Sequence, residues 1–310
     1  MNLYDQRSSN IRRTWALVLG FLVVVIAAGY AISWYYGNPT ILFIAVVIAV
    51  GTNFYAYWQS DKLVLSLNHA RPASREEFFD FYTVTENLVI TAGLPKPKLY
   101  VINDPAPNAF ATGRNEKHAV VCVTTGLLRM MNRTELEGVI AHELSHIKNR
   151  DILLMTVAVV LAGFVAIIAN IFLRISFFGG GRNDDRGNGN AIFLILAVVG
   201  IILAPVAAKL IQLAVSRRRE YLADASGALL TRYPEGLASA LGKLGSYTAP
   251  MRSANLATAH LFINDPFGTS AGGGSASGGK SGGSAGWIER LFSTHPPIAG
   301  RIKMLLASQA

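Results

Sequence analysis

The stretch His142-Glu143-Leu144-Ser145-His146 stands shortly before a long apolar run that begins at Ile152. Two histidines four residues apart lie on one face of a helix, where both can bind a single Zn²⁺ ion. The glutamate between them is placed to take a proton from a water molecule that the metal activates. This pattern is typical of metallopeptidases, so His142 and His146 are candidate metal ligands and Glu143 is a candidate general base.

Four apolar segments surround this motif in a chain of 310 residues that is 51% hydrophobic and 15% charged. Each has the roughly 20 residues that a helix needs to cross about 30 Å of hydrocarbon. They are residues 14–36, 39–58, 152–178 and 191–216. The sequence therefore predicts a four-helix transmembrane bundle. A cleaved signal peptide is the alternative for the first segment, but its apolar region would be shorter and would end in small residues.

Lysine and arginine residues gather on one side of these predicted spans. They precede the first span, follow the second, precede the third and follow the fourth. The positive-inside rule then places the N-terminus, residues 59–151 and residues 217–310 in the cytoplasm. The net charge of +9 is explained by span ends that face anionic lipid, so no nucleic-acid partner is expected.

Between the second and third spans lies a segment of ordinary globular composition. Residues 76–93 carry apolar side chains at helical spacing. Residues 98–102, 108–112 and 119–125 are short runs of strand-forming residues bounded by turn signals, which predicts a small sheet. Cys122 is the one cysteine, so no disulfide forms within the chain, and we expect it to be a buried strand residue.

The helix that carries the two histidines also has a start signal. Thr134, followed by Glu137, predicts a capping box there. The predicted fold class is α+β, with a cytoplasmic domain of small sheet and helices against the transmembrane bundle. The chain divides into an N-terminal transmembrane hairpin (1–58), a catalytic segment (59–151), a second hairpin (152–216) and a C-terminal cytoplasmic segment (217–310).

A third metal ligand is expected just after the fourth span. Glu220 and Asp224 share one helical face, and the cytoplasmic ends of the two joined spans meet, which brings Glu220 to His146. Three protein ligands leave one metal position open for water. Asp224 would accept a hydrogen bond from a ligand histidine. The alternatives are a Glu220 that balances neighbouring arginines and an Asp224 that is an ordinary surface carboxylate.

These residues together resemble the membrane-bound M48 metallopeptidases, and within them the bacterial HtpX-type heat-shock proteases. The resemblance covers nearly the whole chain and includes residues 108–113, 142–151, 220–224 and 293–302. It implies a zincin-like domain with one Zn²⁺ per chain, in a multi-pass protein of a prokaryotic cytoplasmic (inner) membrane. It also implies an endopeptidase that degrades damaged or misassembled membrane proteins in quality control. The sequence indicates no particular oligomeric state.

Two further elements are candidates for substrate binding. The strand with Asn108, Ala109 and Phe110 can pair with an extended peptide if it lies at a sheet edge, and otherwise it is an internal strand. His295 can donate a hydrogen bond to the developing oxyanion with Arg301 as a helper, and otherwise it is a cap or surface residue.

The C-terminal segment contains a Gly/Ser-rich stretch at residues 268–286. Its composition predicts a flexible loop that returns a C-terminal helix, residues 287–306, to the metal site. Two other functions stay open, an intramembrane protease and a non-enzymatic metal-binding membrane protein. The charged residues around the histidine helix argue against the first, and the scarcity of ionisable residues within the spans argues against the second.

Overall fold

The N-terminal part of the chain is a hairpin of two long helices, α1 (Leu3–Tyr36) and α2 (Pro39–Trp58). The computed structural model describes residues 3–178, 216–255, 258–268 and 296–307. Within the hairpin, Ser8–Trp34 and Pro39–Trp58 are long and apolar enough to cross a membrane, and only 28% and 22% of these windows are buried. Apolar side chains thus form the outer faces of both helices, as lipid contact requires.

A third long helix, α7 (Asp151–Phe178), packs against this hairpin. Leu154, Val157 and Leu161 of α7 share a buried cluster with Leu17 and Phe21 of α1. The expected third span thus corresponds to a helix in the structure. The expected fourth span lies outside the described residues, apart from Ser216.

The residues between α2 and α7 contain a four-stranded sheet in the order β1-β2-β4-β3. Strand β2 is parallel to β4, and the other two pairs are antiparallel. Among the described residues β3 is therefore an edge strand, one residue later than the sequence predicts. The strands are β1 (Arg71–Pro72), β2 (Lys98–Ile102), β3 (Ala109–Gly113) and β4 (Ala119–Thr124).

Helices cover this sheet and carry the site. Short helices α3 (Ser60–Leu67) and α5 (Thr125–Met130) flank it. Helix α4 (Phe79–Ala92) starts three residues later than predicted and ends, as predicted, at Gly93, whose φ is 66°. Strand β4 stops at Thr124 because this side chain accepts a hydrogen bond from the N–H of Leu127 and so caps α5.

Helix α6 (Arg133–Lys148) carries the two histidines, and its predicted capping box is wrong. The cap is Asn132: its side chain accepts the Glu135 N–H, and the Glu135 carboxylate accepts the Asn132 N–H at 2.8 Å. Both Asn132-x-x-Glu135 and Thr134-x-x-Glu137 fit the capping pattern. The first prevails because Glu135 also binds Lys243 and Ser239 on a neighbouring helix.

The described part of the C-terminal segment contains three further α-helices: α8 (Arg217–Thr231), α9 (Pro234–Ser246) and α10 (Ile298–Ala307). Helix α8 crosses α6 closely at Gly227, where an added Cβ would lie 3.0 Å from the backbone nitrogen of His142. The predicted C-terminal helix, residues 287–306, is too long: Pro296 and Pro297 are not helical, and the helix begins at Ile298, since a proline cannot donate the backbone hydrogen bond of a helix interior. Residues 287–295 lie outside the described residues, as does most of the Gly/Ser-rich stretch.

Candidate metal centre

The two histidines of α6 project into one buried site. His142 and His146 are one helical turn apart, and their Nε2 atoms lie 3.2 Å from each other. The rings are perpendicular, with 4.7 Å between their centroids. Because both residues are buried, the point at which their Nε2 atoms meet is withdrawn from bulk water.

Helix α8 adds a carboxylate to this point. The oxygens of Glu220 lie 3.8 Å from Nε2 of His142 and 3.5 Å from Nε2 of His146. Tetrahedral zinc with metal–nitrogen bonds of about 2.0–2.1 Å places neighbouring donors about 3.3 Å apart. The three side chains are thus the right types at the right spacing to hold such an ion. The close crossing at Gly227 explains how α8 brings Glu220 to α6.

Each histidine also has a carboxylate behind its outer nitrogen. Asp224, one turn after Glu220 on α8, places Oδ1 3.0 Å from Nδ1 of His142. Asp151, the first residue of α7, places Oδ2 3.0 Å from Nδ1 of His146. Such contacts fix the tautomer and the ring orientation of a metal-binding histidine, with Nε2 left for the metal.

Asp151 is the contact that sequence reasoning missed. It comes five residues after His146, beyond a turn at Arg150, whose φ of 61° reverses the chain between α6 and α7. Helical periodicity says nothing about a residue placed beyond such a turn. The available signal was the Asn149-Arg150-Asp151 triplet itself, a polar group directly before a span.

Arg301 of α10 holds Asp224 from the opposite side. Its Nε donates to Oδ2 of Asp224 at 2.8 Å and its Nη2 donates to Oδ1 at 2.6 Å, a bidentate pair. Its Nη1 lies 3.7 Å from Glu220. Burial opposes ionisation of Asp224, but these hydrogen bonds outweigh it and leave the pKa of Asp224 below its ordinary value. Arg301 thus lies beside the site, whereas His295 is outside the described residues.

The three motif residues differ in how their surroundings shift their pKa values. Burial raises the pKa of Glu143 to about 7, against the opposing charge of His146. Burial lowers the pKa of His142. It acts in the same direction on His146, but Asp151 and Glu220 outweigh it and raise the pKa of His146 to about 9. Glu143 therefore has the proton affinity that a general base needs near neutral pH.

The edge strand β3 runs beside α6, and its residues have different neighbours. Ala109 lies in the core cluster that includes α6, and the backbone N–H of Ala111 reaches Glu143. Phe110 packs edge-to-face against Phe262, with 5.0 Å between the ring centroids. Asn108 is buried and binds the backbone of Asn264 with both side-chain atoms. The side chains of Asn108 and Phe110 therefore fasten the 258–268 segment to the sheet.

The backbone of β3 alternates in direction, as strands do. Just before β3, the backbone carbonyl of Asn108 accepts the N–H of Thr124 at the end of β4. The next carbonyl, that of Ala109, points to the opposite side and accepts the N–H of Ile263 at 2.9 Å. The backbone N–H and C=O groups of Ala109, Ala111 and Gly113 therefore point to the side of β3 away from β4.

Comparison with known proteins agrees with this geometry. The family model for peptidase family M48 matches residues 77–309. A protease HtpX homolog of Caldanaerobacter subterraneus is 47% identical and covers 98% of this chain and 97% of its own. A protease HtpX homolog of Pyrococcus furiosus is 47% identical over 93% of each chain. The crystal structure of Ste24p from S. mikatae shares the fold, with a TM-score of 0.50, 17% identity and coverage of 97% of this chain and 67% of that one. The chain thus belongs to peptidase family M48, in its HtpX-type branch, and is a membrane-associated metalloprotease.

Proposed function

We propose that this protein is a zinc endopeptidase that cleaves peptide bonds at the cytoplasmic face of a prokaryotic inner membrane. The observation that carries the proposal is the convergence of His142, His146 and Glu220, with donor atoms 3.2–3.8 Å apart in a buried site. Two imidazoles and one carboxylate favour zinc, and three protein ligands leave a position for water. One Zn²⁺ per chain follows from one such site among the described residues.

Different residues of the site would perform different parts of the hydrolysis. His142, His146 and Glu220 would hold the zinc ion, which would supply Lewis-acid activation of a water molecule and of the scissile carbonyl. Glu143 takes the proton from the attacking water and passes it to the leaving amine, for which a pKa of about 7 is suited. Asp224, Arg301 and Asp151 hold the histidines in place.

The substrate is a protein or peptide in extended conformation. Strand β3 would add the substrate backbone to its outward edge, next to Glu143, which is the usual way in which a sheet binds an extended chain. His295 would donate to the oxyanion, and the rigid anchoring of the following helix by Arg301 supports a position near the site.

The setting is a multi-pass protein with four spans and with both termini and the active site in the cytoplasm. The basic residues at the span ends and the apolar outer faces of α1 and α2 support this topology. A site near a membrane surface suits the removal of damaged membrane proteins, the quality-control role that the family resemblance implies. Charged residues at the two ends of α6, such as Arg133 at its start and Arg150 just after its end, disfavour a site in the bilayer centre.

A metal assay paired with digestion tests the proposal. Detergent-purified protein should contain about one zinc per chain and should degrade casein. A chelator should stop the degradation, and added zinc should restore it. Cleavage that resists a chelator which removes the metal would contradict the proposal. Bound zinc with no cleavage of casein or of a mixture of denatured membrane proteins would favour the non-enzymatic alternative.

A further inference from the structure

The first membrane helix reaches into the surroundings of the metal centre. Asn10 of α1 donates from Nδ2 to Oδ1 of Asp151 at 2.5 Å. The same amide group donates to the backbone carbonyl of Asn149 at 3.0 Å. Asn10 and Asp151 are both 0% exposed. A side chain 141 residues away in sequence thus contacts the carboxylate that holds His146.

This contact determines which way the Asp151 carboxylate faces. The terminal torsion of an aspartate is broad, so a partner on one oxygen is needed to keep the other oxygen directed at a histidine. Asn10 binds Oδ1, and Oδ2 then lies against Nδ1 of His146. Nε of Arg219 lies 3.8 Å from Oδ1, beyond hydrogen-bond distance. Arg219 therefore acts on the Asp151 carboxylate through its charge, whereas the hydrogen bond from the Asn10 amide determines how that carboxylate is oriented.

The position of Asn10 is itself fixed by packing. Its backbone carbonyl accepts the hydroxyl of Thr14 at 2.9 Å. Further along α1, Leu17 and Phe21 pack with Leu154 and Val157 of α7 in one buried cluster. Since Asp151 is the first residue of α7, the packing of the two helices places Asn10 opposite it.

We propose that Asn10 is a positioning residue of the metal centre. It orients Asp151, which in turn holds His146 with Nε2 directed at the metal, so the first membrane helix forms part of the metal site. The inference rests on the proposed zinc site. Its consequence is that a protein without this amide folds but binds zinc more weakly.

The test compares two buried asparagines of the same hairpin in the full-length protein. Asn10→Leu keeps the approximate size of the side chain and removes the donor. Asn53→Leu is the matched control, because Asn53 is buried in α2 and donates to the Ala49 carbonyl at 3.0 Å. Zinc dissociation constants are measured in detergent by chelator competition, together with the unfolding temperature of the metal-free protein.

We expect Asn10→Leu to weaken zinc binding roughly three- to tenfold, somewhat less than the usual effect of removing a direct partner of a ligand. Asn53→Leu should leave the dissociation constant unchanged. Asn10→Ser is a milder second variant, whose shorter side chain does not reach Asp151, and it should shift the constant in the same direction. It keeps the test decisive if the leucine variant does not fold.

A double-mutant cycle tests whether Asn10 affects zinc binding through Asp151. Asp151→Ala should weaken zinc binding about 10- to 100-fold, and the addition of Asn10→Leu should then change nothing further. Equal zinc affinities for the Asn10 and Asn53 variants would overturn the inference, and so would an Asn10 effect of full size in the Asp151→Ala background. Wild-type protein that binds no zinc would overturn the proposed function as well, whereas zinc-loaded wild type with an unaffected Asn10→Leu would overturn this inference alone.

Discussion

Glu143 has surroundings that differ from those of the two histidines beside it. Its carboxylate has the backbone N–H of Ala111 as a partner, and it lies in the field of Glu220 and Arg301. It is buried, so its basicity is set by these neighbours and by the loss of water. The proposed general base is therefore a different group from the two carboxylates that contact the histidines, Asp151 and Asp224.

This separation predicts that Glu143→Gln loses catalysis and keeps metal. Glutamine has nearly the same shape but accepts no proton, so turnover should fall by at least about 10²–10⁴-fold while zinc content stays near one per chain. Peptide hydrolysis and metal analysis of the same sample measure the two effects. Glu137→Gln is the control, because Glu137 lies on the same helix and forms a surface pair with Arg133. Near-normal turnover of zinc-loaded Glu143→Gln would remove Glu143 from the mechanism.

Glu220 and Asp224 should differ in how strongly their replacement affects the metal. Glu220→Ala removes a donor that lies 3.5 Å from Nε2 of His146, and we expect loss of bound zinc. Asp224→Asn keeps the size of the side chain but weakens the contact with His142 and Arg301, and affinity should fall about 10- to 100-fold. Zinc titrations of the two variants measure this difference. About one zinc per chain in purified Glu220→Ala would contradict the ligand assignment.

Sequence reasoning reached the residues that regular geometry connects. His142, Glu143 and His146 follow from helical spacing, and the convergence of Glu220 follows from two joined helices whose ends meet. Asp151 and Asn10 did not follow. The first depends on the reversal at Arg150, and the second depends on how α1 packs along α7. Neither relation leaves a periodic pattern in the sequence.

At the level of elements, the start of α6 is held by contacts from another helix. Glu135 accepts hydrogen bonds from Lys243 at 2.7 Å and from Ser239 at 2.7 Å, in addition to the Asn132 N–H. Burial raises the pKa of Glu135, but these donors outweigh it and leave the pKa below its ordinary value. The sequence contained two overlapping capping patterns, and only this tertiary contact decides between them.

The capping contact predicts a pH-dependent contribution to stability. Because the folded-state pKa of Glu135 is depressed, its stabilisation is present above an unfolded pKa of about 4.3 and is lost as the pH falls through the folded value. Glu135→Gln should lower the unfolding temperature at neutral pH by a few degrees, the shift that corresponds to about 1 kcal/mol. The difference from wild type should shrink in acid. Glu137→Gln, an exposed pair, should show little effect at either pH, and an equal loss in both variants would contradict the assignment.

The crossing of α6 and α8 predicts a second effect on an element. A Cβ at Gly227 would lie 3.0 Å from the backbone nitrogen of His142 and 3.3 Å from the backbone of Ala141, so Gly227→Ala must push the helices apart. We expect about 1–3 kcal/mol of destabilisation and weaker zinc binding, because Glu220 moves with α8. Gly242→Ala in α9 is the control, since among the described residues nothing beyond the adjacent backbone of its own helix lies within 4 Å of the added Cβ. Thermal unfolding and zinc titration measure both, and a harmless Gly227→Ala would contradict this packing.

At the scale of the whole molecule, α7 joins the membrane hairpin to the protease domain. Its Leu154 and Val157 lie in the cluster with α1 and α2, whereas its Met155 and Val159 lie in a cluster with Phe110 of β3. The first turns of α7 therefore belong to both cores. Hydropathy predicts such a segment only as a span, because the sheet that contacts one face of α7 is formed by residues distant from it in sequence.

Because α7 contacts both the hairpin and the sheet, the side of the membrane on which the sheet lies tests the predicted topology of the whole chain. In a Cys122→Ala background, single cysteines at Glu76 and Ala249 report on the two segments that are predicted to be cytoplasmic, since both positions are exposed and their replacement keeps every Lys and Arg in place. Asn188, between the third and fourth predicted spans, reports on the opposite side. A membrane-impermeant maleimide applied to intact cells should label Asn188→Cys alone, and all three variants should be labelled after permeabilisation. Labelling of the Glu76 and Ala249 positions from outside, with Asn188 protected, would reverse the orientation and place the metal centre outside the cytoplasm.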